Sequence, residues 1–217
     1  MAGANYSHQK DLFNPRNARK VVIFGAGSVG SLAAFHLCKK GVPDIEVWDD
    51  DFVASHNAPV SLYGPSDIGR LKVEVLQELL VRLTGITISI RPEKYEGQTA
   101  LNNVSVASCV DTMAGRRCIW QKVRMNPTVD IFCDSRTGGS YYEVHTINPS
   151  VRSEVDAYEA TLFDDKRAVL LLCGRHGIID NTSEAARLLA ASLTRFWQKN
   201  SKELLVAGRS DIFRRVI

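Results

Sequence analysis

"KVVIFGAGSVGSLAAFHLCKKG", Lys20 to Gly41, is the stretch on which the fold turns. It opens with a short apolar, β-branched run that reads as a strand, residues 20–24. It closes, over 29–41, with apolar residues recurring at three and four, the period of an amphipathic helix. Between them Gly25, Gly27 and Gly30 are spaced G-x-G-x-x-G. In a strand-turn-helix setting Gly25 permits the tight turn, Gly27 lets backbone amides approach phosphate oxygens, and Gly30 lets the helix pack on the sheet. Loop amides and the positive end of the helix then attract a phosphate. Glycines also serve ordinary strand-to-helix turns, so the position of the motif directly after an apolar strand is what favours a nucleotide.

Four further runs resemble the first: "DIEVW" (44–48), "ITISI" (86–90), "VSVASCV" (104–110) and "TVDIFCD" (128–134). Helical periodicity separates them in "IGRLKVEVLQELLVRL" (68–83) and "AGRRCIWQKVRM" (114–125). Apolar strands alternating with helices imply a parallel sheet covered on both faces by right-handed crossovers. The expected class is α/β, a Rossmann-like doubly wound, mostly parallel sheet. After Asp134 the pattern changes. "SRTGGSYYEVHTI" pairs a Gly-Gly turn with alternation and predicts a half-exposed antiparallel strand, "EVDAYEATLF" predicts another, and "ELLVAGRSDIF" (203–213) a last one. "NTSEAARLLAASLTRFWQKN" predicts a closing helix capped by Asn181, Thr182 or Ser183. The expectation is one domain over 1–217: an arm (1–19), a nucleotide-binding core (20–134) and a mixed antiparallel C-terminal extension (135–217).

Composition excludes little but points consistently. Hydrophobic residues make up 45% and charged residues 24% of 217, an ordinary globular balance. A net charge of +3 is too small to argue for nucleic acid. The polar N-terminal stretch lacks a signal peptide's apolar core, and no run reaches the roughly eighteen apolar residues of a membrane span. Five scattered cysteines without a C-x-x-C pair suit a reducing cytoplasm.

The second strand ends in "WDDD", placing Asp49 about twenty residues past the glycine loop, where a carboxylate accepts hydrogen bonds from ribose hydroxyls. Adjacent acids usually turn to water, a reading that suits Asp50 alone. A nucleotide with an unmodified ribose follows, and these residues do not separate NAD from ATP.

Four more stretches come in order: "DDDFVASHN" (49–57), "DIGRLK" (67–72), "CVDTMAGRR" (109–117) and "CGRHGIIDN" (173–181). With the glycine loop, this series resembles the ThiF, MoeB and HesA adenylyltransferases, relatives of the ubiquitin-activating enzymes, in a stand-alone bacterial or phage-type form. The resemblance is fullest over residues 18–135. It implies Mg-ATP as cofactor and, as partner, a small ubiquitin-like or sulfur-carrier protein whose Gly-Gly tail is activated as an acyl-adenylate, in a homodimer. Carried over, Gly25, Ala26, Gly27, Ser28 and Gly30 would face the nucleotide and Asp49 the ribose. Asp51 and Asn57 would shape the pocket, Lys72 would meet phosphates, Asp111 would hold Mg²⁺, and Arg116 would complete the catalytic set. Chemistry agrees, since breaking the α-β bond of a triphosphate calls for a cation and a carboxylate-held metal at the leaving pyrophosphate. The plainer readings are a solvated lysine at a helix start, Asp111-Thr112 as a cap for the helix near Ala114, and Arg116 as a surface charge.

The chain also departs from the family. Where relatives carry Arg-Gln in an N-x-x-R-Q stretch, "NAPVSLYG" has Val60 and Ser61, and Pro59 fixes a backbone angle. Either Arg16, Arg19, Arg70 or Arg136 replaces the missing arginine, with Arg16 or Arg19 acting in trans as in some relatives, or adenylation is poor. Without paired C-x-x-C motifs no zinc is expected. Cys173 reads as a reactive thiol activated by Arg175 and His176, or as a buried small hydrophobe. Two other functions compete: an NAD-dependent oxidoreductase, which leaves "DIGRLK" and "CVDTMAGRR" unexplained, and a non-catalytic relative that binds nucleotide or a partner.

Overall fold

The computed structural model describes residues 4–163 and 179–209. Within them the chain forms β1 (Val21–Phe24), α1 (Ser28–Lys39), β2 (Ile45–Trp48), α2 (Lys72–Thr84), β3 (Ser89–Arg91), β4 (Val104–Ser108) and α3 (Met113–Val123). It continues with β5 (Val129–Gly138), β6 (Tyr141–Ile147), α4 (Arg152–Glu159), α5 (Ile179–Lys199) and β7 (Leu205–Arg209). The strands make one sheet in the order β3-β2-β1-β4-β5-β6-β7. The first five are mutually parallel, whereas β6 and β7 join antiparallel. This is the doubly wound, Rossmann-like sheet with an antiparallel extension. The chain runs outward from β1 to β3 and then crosses back to β4 on β1's other side. Ligands of open α/β sheets bind at the carboxyl ends of the strands where the order reverses, here between β1 and β4.

Side chains alternate across the sheet with the strand period of two. Val21, Ile23, Ile45, Val47, Ala107, Ile131 and Cys133 enter a core shared with Ala33 and Leu37 of α1, Leu76 and Leu80 of α2 and Leu189 and Leu193 of α5. Val22, Phe24, Trp48, Val106, Phe132 and Ile147 enter a second core with Ile119, Trp120 and Val123 of α3 and Val155 and Tyr158 of α4. Each fully buried large apolar side chain contributes roughly 1.5–3 kcal/mol, so both faces of the sheet are held against its helices. That rigidity carries to the loops at its carboxyl edge.

The structure corrects several boundaries. The stretch expected to be a strand within 154–163 is helix α4 over Arg152–Glu159: Val155 and Tyr158, three apart, are its buried residues, and Arg152 pairs with Asp156 four apart. Helical spacing wins there because one face alone is covered. Asn181, Thr182 and Ser183 are not caps, since α5 already includes Ile179. The Asn181 amide donates to the Gly139 carbonyl at 2.6 Å and Thr182 Oγ1 to the Val60 carbonyl at 3.1 Å, tying the helix start to two distant turns. β3 has three residues, and β5 runs on past Asp134 to Gly138. α2 starts at Lys72, because Gly69 at φ +87° breaks the helix expected from residue 68. Among the described residues no helix is long and apolar enough to cross a membrane.

Candidate functional site

The ladder ends where β1 meets the glycine turn. Gly25 N–H donates to the Trp48 carbonyl and Cys109 N–H to the Phe24 carbonyl, both at 2.8 Å, so the turn springs from a fully paired strand. Gly25 has φ +93°, and a Cβ there would lie 2.7 Å from the Cys109 carbonyl oxygen. A Cβ on Gly30 would overlap the Gly25 carbonyl. These two glycines are needed for the turn to close on itself and on β4. Gly27, the N-cap of α1, differs: a Cβ there would meet nothing within 4 Å. The first helical bond is Ser31 N–H to the Gly27 carbonyl, 3.0 Å, so the amides of Ser28, Val29 and Gly30 precede the ladder beside that open space. Unpaired amides at a helix N-terminus make an anion site.

One flank of the turn is charged. Asp49 Oδ2 accepts the Ala26 amide at 2.6 Å and Oδ1 the Asp51 amide at 2.8 Å. Burial pushes its carboxyl above the usual range, while Lys72 and those two amides oppose the shift. The Lys72 ammonium lies 2.6 Å from Asp51 Oδ2 and 3.9 Å from Asp49 Oδ1. Asp49, Asp50 and Asp51 offer oxygens within 4.8 Å of one another, and the lysine already sits against two of the three. Glycine turn, Asp49, Asp51 and Lys72 are thus brought together. Asn57 is near in sequence but occupied locally, its Oδ1 accepting the Ala54 amide at 2.8 Å.

The other flank is the exit of β4. Asp111 follows the Cys109 carbonyl that Gly25 abuts, and its side chain is exposed. Thr112 caps α3, accepting the Gly115 amide at 3.2 Å, which leaves the Asp111 carboxylate out of the cap. Lys72 and Asp111 therefore flank the same glycine turn from its two sides. Arg116 is placed otherwise. It is buried, with its guanidinium on Asp134 of β5, and so is not a surface charge.

None of the candidate replacement arginines faces the turn with a free guanidinium. Arg136 spends its nitrogens on Asp134, Glu143 and both oxygens of Thr161. Arg70 pairs with Glu78 at 2.6 Å and Arg19 with Asp130 at 2.7 Å. Arg16 and Arg19 precede β1 and so lie at the amino edge of the sheet, the end away from the turn. Cys173, Arg175 and His176 lie outside the described residues. Two residues escaped the sequence reading: Asp134, which anchors two arginines, and Tyr63, whose hydroxyl reaches the glycine turn. An aromatic between Leu62 and Gly64 in a polar loop was the available sign of a buried anchor, but its partner was not visible.

A model of the ThiF family matches residues 6–204. No curated protein matches the chain. Among solved structures the fold is similar to E. coli MccB determined with ATP, with TM-score 0.70 and 16% identity over 92% of this chain and 63% of that one. The microcin C7 biosynthetic enzyme MccB in complex with N-formylated MccA gives TM-score 0.68 at 18% identity, over 92% and 64%. PaaA gives 0.70 at 14%, over 92% and 63%. The chain spans less than two thirds of these solved chains, and at such identities the likeness is one of fold.

Proposed function

The chain belongs to the ThiF family, and from that premise we propose that it binds Mg-ATP at the glycine turn and adenylates the C-terminal carboxylate of a small protein or peptide. One observation carries the reading: a single glycine turn, open at Gly27, has a lysine on one flank and an exposed aspartate on the other, at the switch point of the sheet. ATP supplies an α-phosphorus activated by a pyrophosphate leaving group. The chain supplies the setting. Amides of Ser28, Val29 and Gly30 hold phosphate oxygens, Asp49 accepts from the ribose, and Lys72 exchanges Asp51 for phosphate. Asp111, an exposed carboxylate beside the Thr112 cap, is the residue suited to hold Mg²⁺. The acceptor carboxylate oxygen bonds to the α-phosphorus as the α-β P–O bond breaks. A ubiquitin-like or sulfur-carrier protein with a Gly-Gly tail is the acceptor this reading favours, and MccB solved in complex with N-formylated MccA supports keeping other acceptors in the class.

Burial of Arg116 on Asp134 and the missing Arg-Gln pair are the observations that favour a second reading, a relative that binds nucleotide without turnover. Acceptor-dependent pyrophosphate exchange into ATP separates the two. The first reading expects exchange in the wild type and its loss in Asp111→Asn, with the fold unchanged by circular dichroism. Normal exchange by Asp111→Asn removes the metal assignment; nucleotide binding without any exchange leaves the second reading.

A further inference from the structure

Two parts of the proposed site meet on one hydroxyl. Tyr63 is 3% exposed, and its Oη lies 2.6 Å from the Ala26 carbonyl and 3.2 Å from the Lys72 carbonyl. A phenol has one proton to donate, so the two carbonyls share it in a three-centre bond weighted toward Ala26. Ala26 is the residue between Gly25 and Gly27, and its amide is already on Asp49. The two peptide groups on either side of the Ala26 Cα are therefore both fixed, the first by a carboxylate and the second by a phenol. Lys72 is held in the same way: its amide donates to the Asp51 carbonyl at 3.0 Å, its carbonyl faces Tyr63, and its ammonium lies on Asp51 and near Asp49. The contacts close a ring through the turn, Asp49, Lys72 and Tyr63.

The strap that carries Tyr63 has anchors of its own. Val60 accepts from Thr182 of α5 at 3.1 Å, the Leu62 amide donates to Ser31 of α1 at 3.3 Å, and the Gly64 amide to Asp67 at 2.8 Å. Tyr63 thus stands on a base tied to two helices and does not drift with the loop it holds. We propose that Tyr63 is a positioning residue whose hydroxyl sets the separation between the glycine turn and Lys72, so that one chain of phosphates meets the α1 amides and the ammonium together. The inference rests on the ATP reading. Its energetic logic is that of preorganisation, in which a displacement of about 1 Å between binding groups is enough to cost large factors in turnover.

The test compares ATP with adenosine, which lacks every phosphate, by calorimetric titration of wild type, Tyr63→Phe, Lys72→Met and the double variant. Wild type that binds adenosine but gains nothing from the phosphates sinks the ATP reading itself, before any variant is made. Given wild-type ATP binding, Tyr63→Phe is expected to weaken ATP about tenfold and adenosine less than twofold, and to add almost nothing in the Lys72→Met background. Equal losses for the two ligands, no loss, or additivity with Lys72→Met overturns the proposal, because a merely structural phenol would weaken the pocket as a whole. If Tyr63→Phe does not fold, para-aminophenylalanine at position 63, which keeps a donor on the ring, must retain the wild-type ratio of ATP to adenosine affinity within twofold; a tenfold fall in that ratio refutes the idea.

Discussion

Lys72 shows how one residue can be both structural and poised. Its two carboxylate partners differ: the Asp49 side chain is 9% exposed and Asp51 69%. The exposed partner is the one a phosphate can displace, since an exposed ion pair contributes little against a charge-assisted contact with a more highly charged anion. Lys72→Met is therefore expected to lower kcat/KM for ATP in pyrophosphate exchange by about tenfold or more, read by steady-state kinetics. Unchanged kinetics would place the phosphates elsewhere. Glu143 makes a different prediction. Burial raises its carboxyl, but hydrogen bonds from His145 and Tyr141, with Arg136 close by, outweigh that and hold it down at about 2. A carboxylate depressed in the fold stabilises above its unfolded value near 4.5 and loses that contribution as pH falls toward 2. Glu143→Gln should flatten the acid limb of stability between those values. After allowance for screening of a side chain 16% exposed, the difference from wild type at pH 6 should be about 1–2 kcal/mol by urea titration. The same acid limb in wild type and variant would show that the β5–β6 pairs hold nothing.

Among the elements, the contact of α1 with α5 is built from small residues, Ala33 and Ala34 on one side and Ala185, Ala186 and Ala190 on the other, and it is sealed at its end by Lys40. The ammonium donates to the Ala190 carbonyl at 3.3 Å and to Thr194 at 2.9 Å. Burial, with Arg187 adding repulsion, lowers its pKa to about 8 from 10.5. The charge is then a cost to the fold at neutral pH, full below about 8 and fading as pH rises to 10.5, where the unfolded chain also loses the proton. Lys40→Met should be more stable than wild type at pH 7 by on the order of 1–2 kcal/mol, with the gap closing by pH 10 in parallel thermal melts. A gap that is constant with pH would mean that packing, not charge, separates them. At this scale the sequence was largely legible. β1, β2, β4, β5, α1 and α3 follow from apolar period and glycine position because tertiary contacts reinforce the local pattern there. The helix α4 reads as a strand because Val155 and Ala157 on either side of Asp156 imitate alternation, while Val155 and Tyr158 do the packing. For the proposed site, spacing nominates the residues that share a turn or a strand end, Gly25, Asp49, Lys72 and Asp111. The partners of Arg116 and Tyr63 are not legible locally, because they are Asp134, 18 residues away, and Ala26, 37 residues away.

For the whole molecule, the sheet has two ends and the nucleotide reading uses one of them. The turn, Asp49, Lys72 and Asp111 lie at the carboxyl edge, while Arg16 and Arg19 come before β1 at the amino edge. The four residues of β1 alone span about 13 Å at roughly 3.3 Å per residue, and Arg19 is held at its own edge by Asp130. An arginine from this arm cannot serve the site of its own chain. If the family's missing arginine is supplied from the arm, a second copy must bring it, which makes a closed two-fold dimer the simplest functional unit. The consequence is quantitative. Arg16→Ala with Arg19→Ala should fold normally and lose exchange activity, and so should Asp111→Asn. Mixing the two inactive proteins in equal amounts and letting subunits exchange makes about half of the dimers mixed, each with one site that has both its own Asp111 and its neighbour's arginines. About a quarter of wild-type activity should return. If the arm acted within its own chain, both sites of a mixed dimer would lack one essential group and nothing would return. Retained activity in the arginine variant before mixing would show instead that the arm has no part in the chemistry.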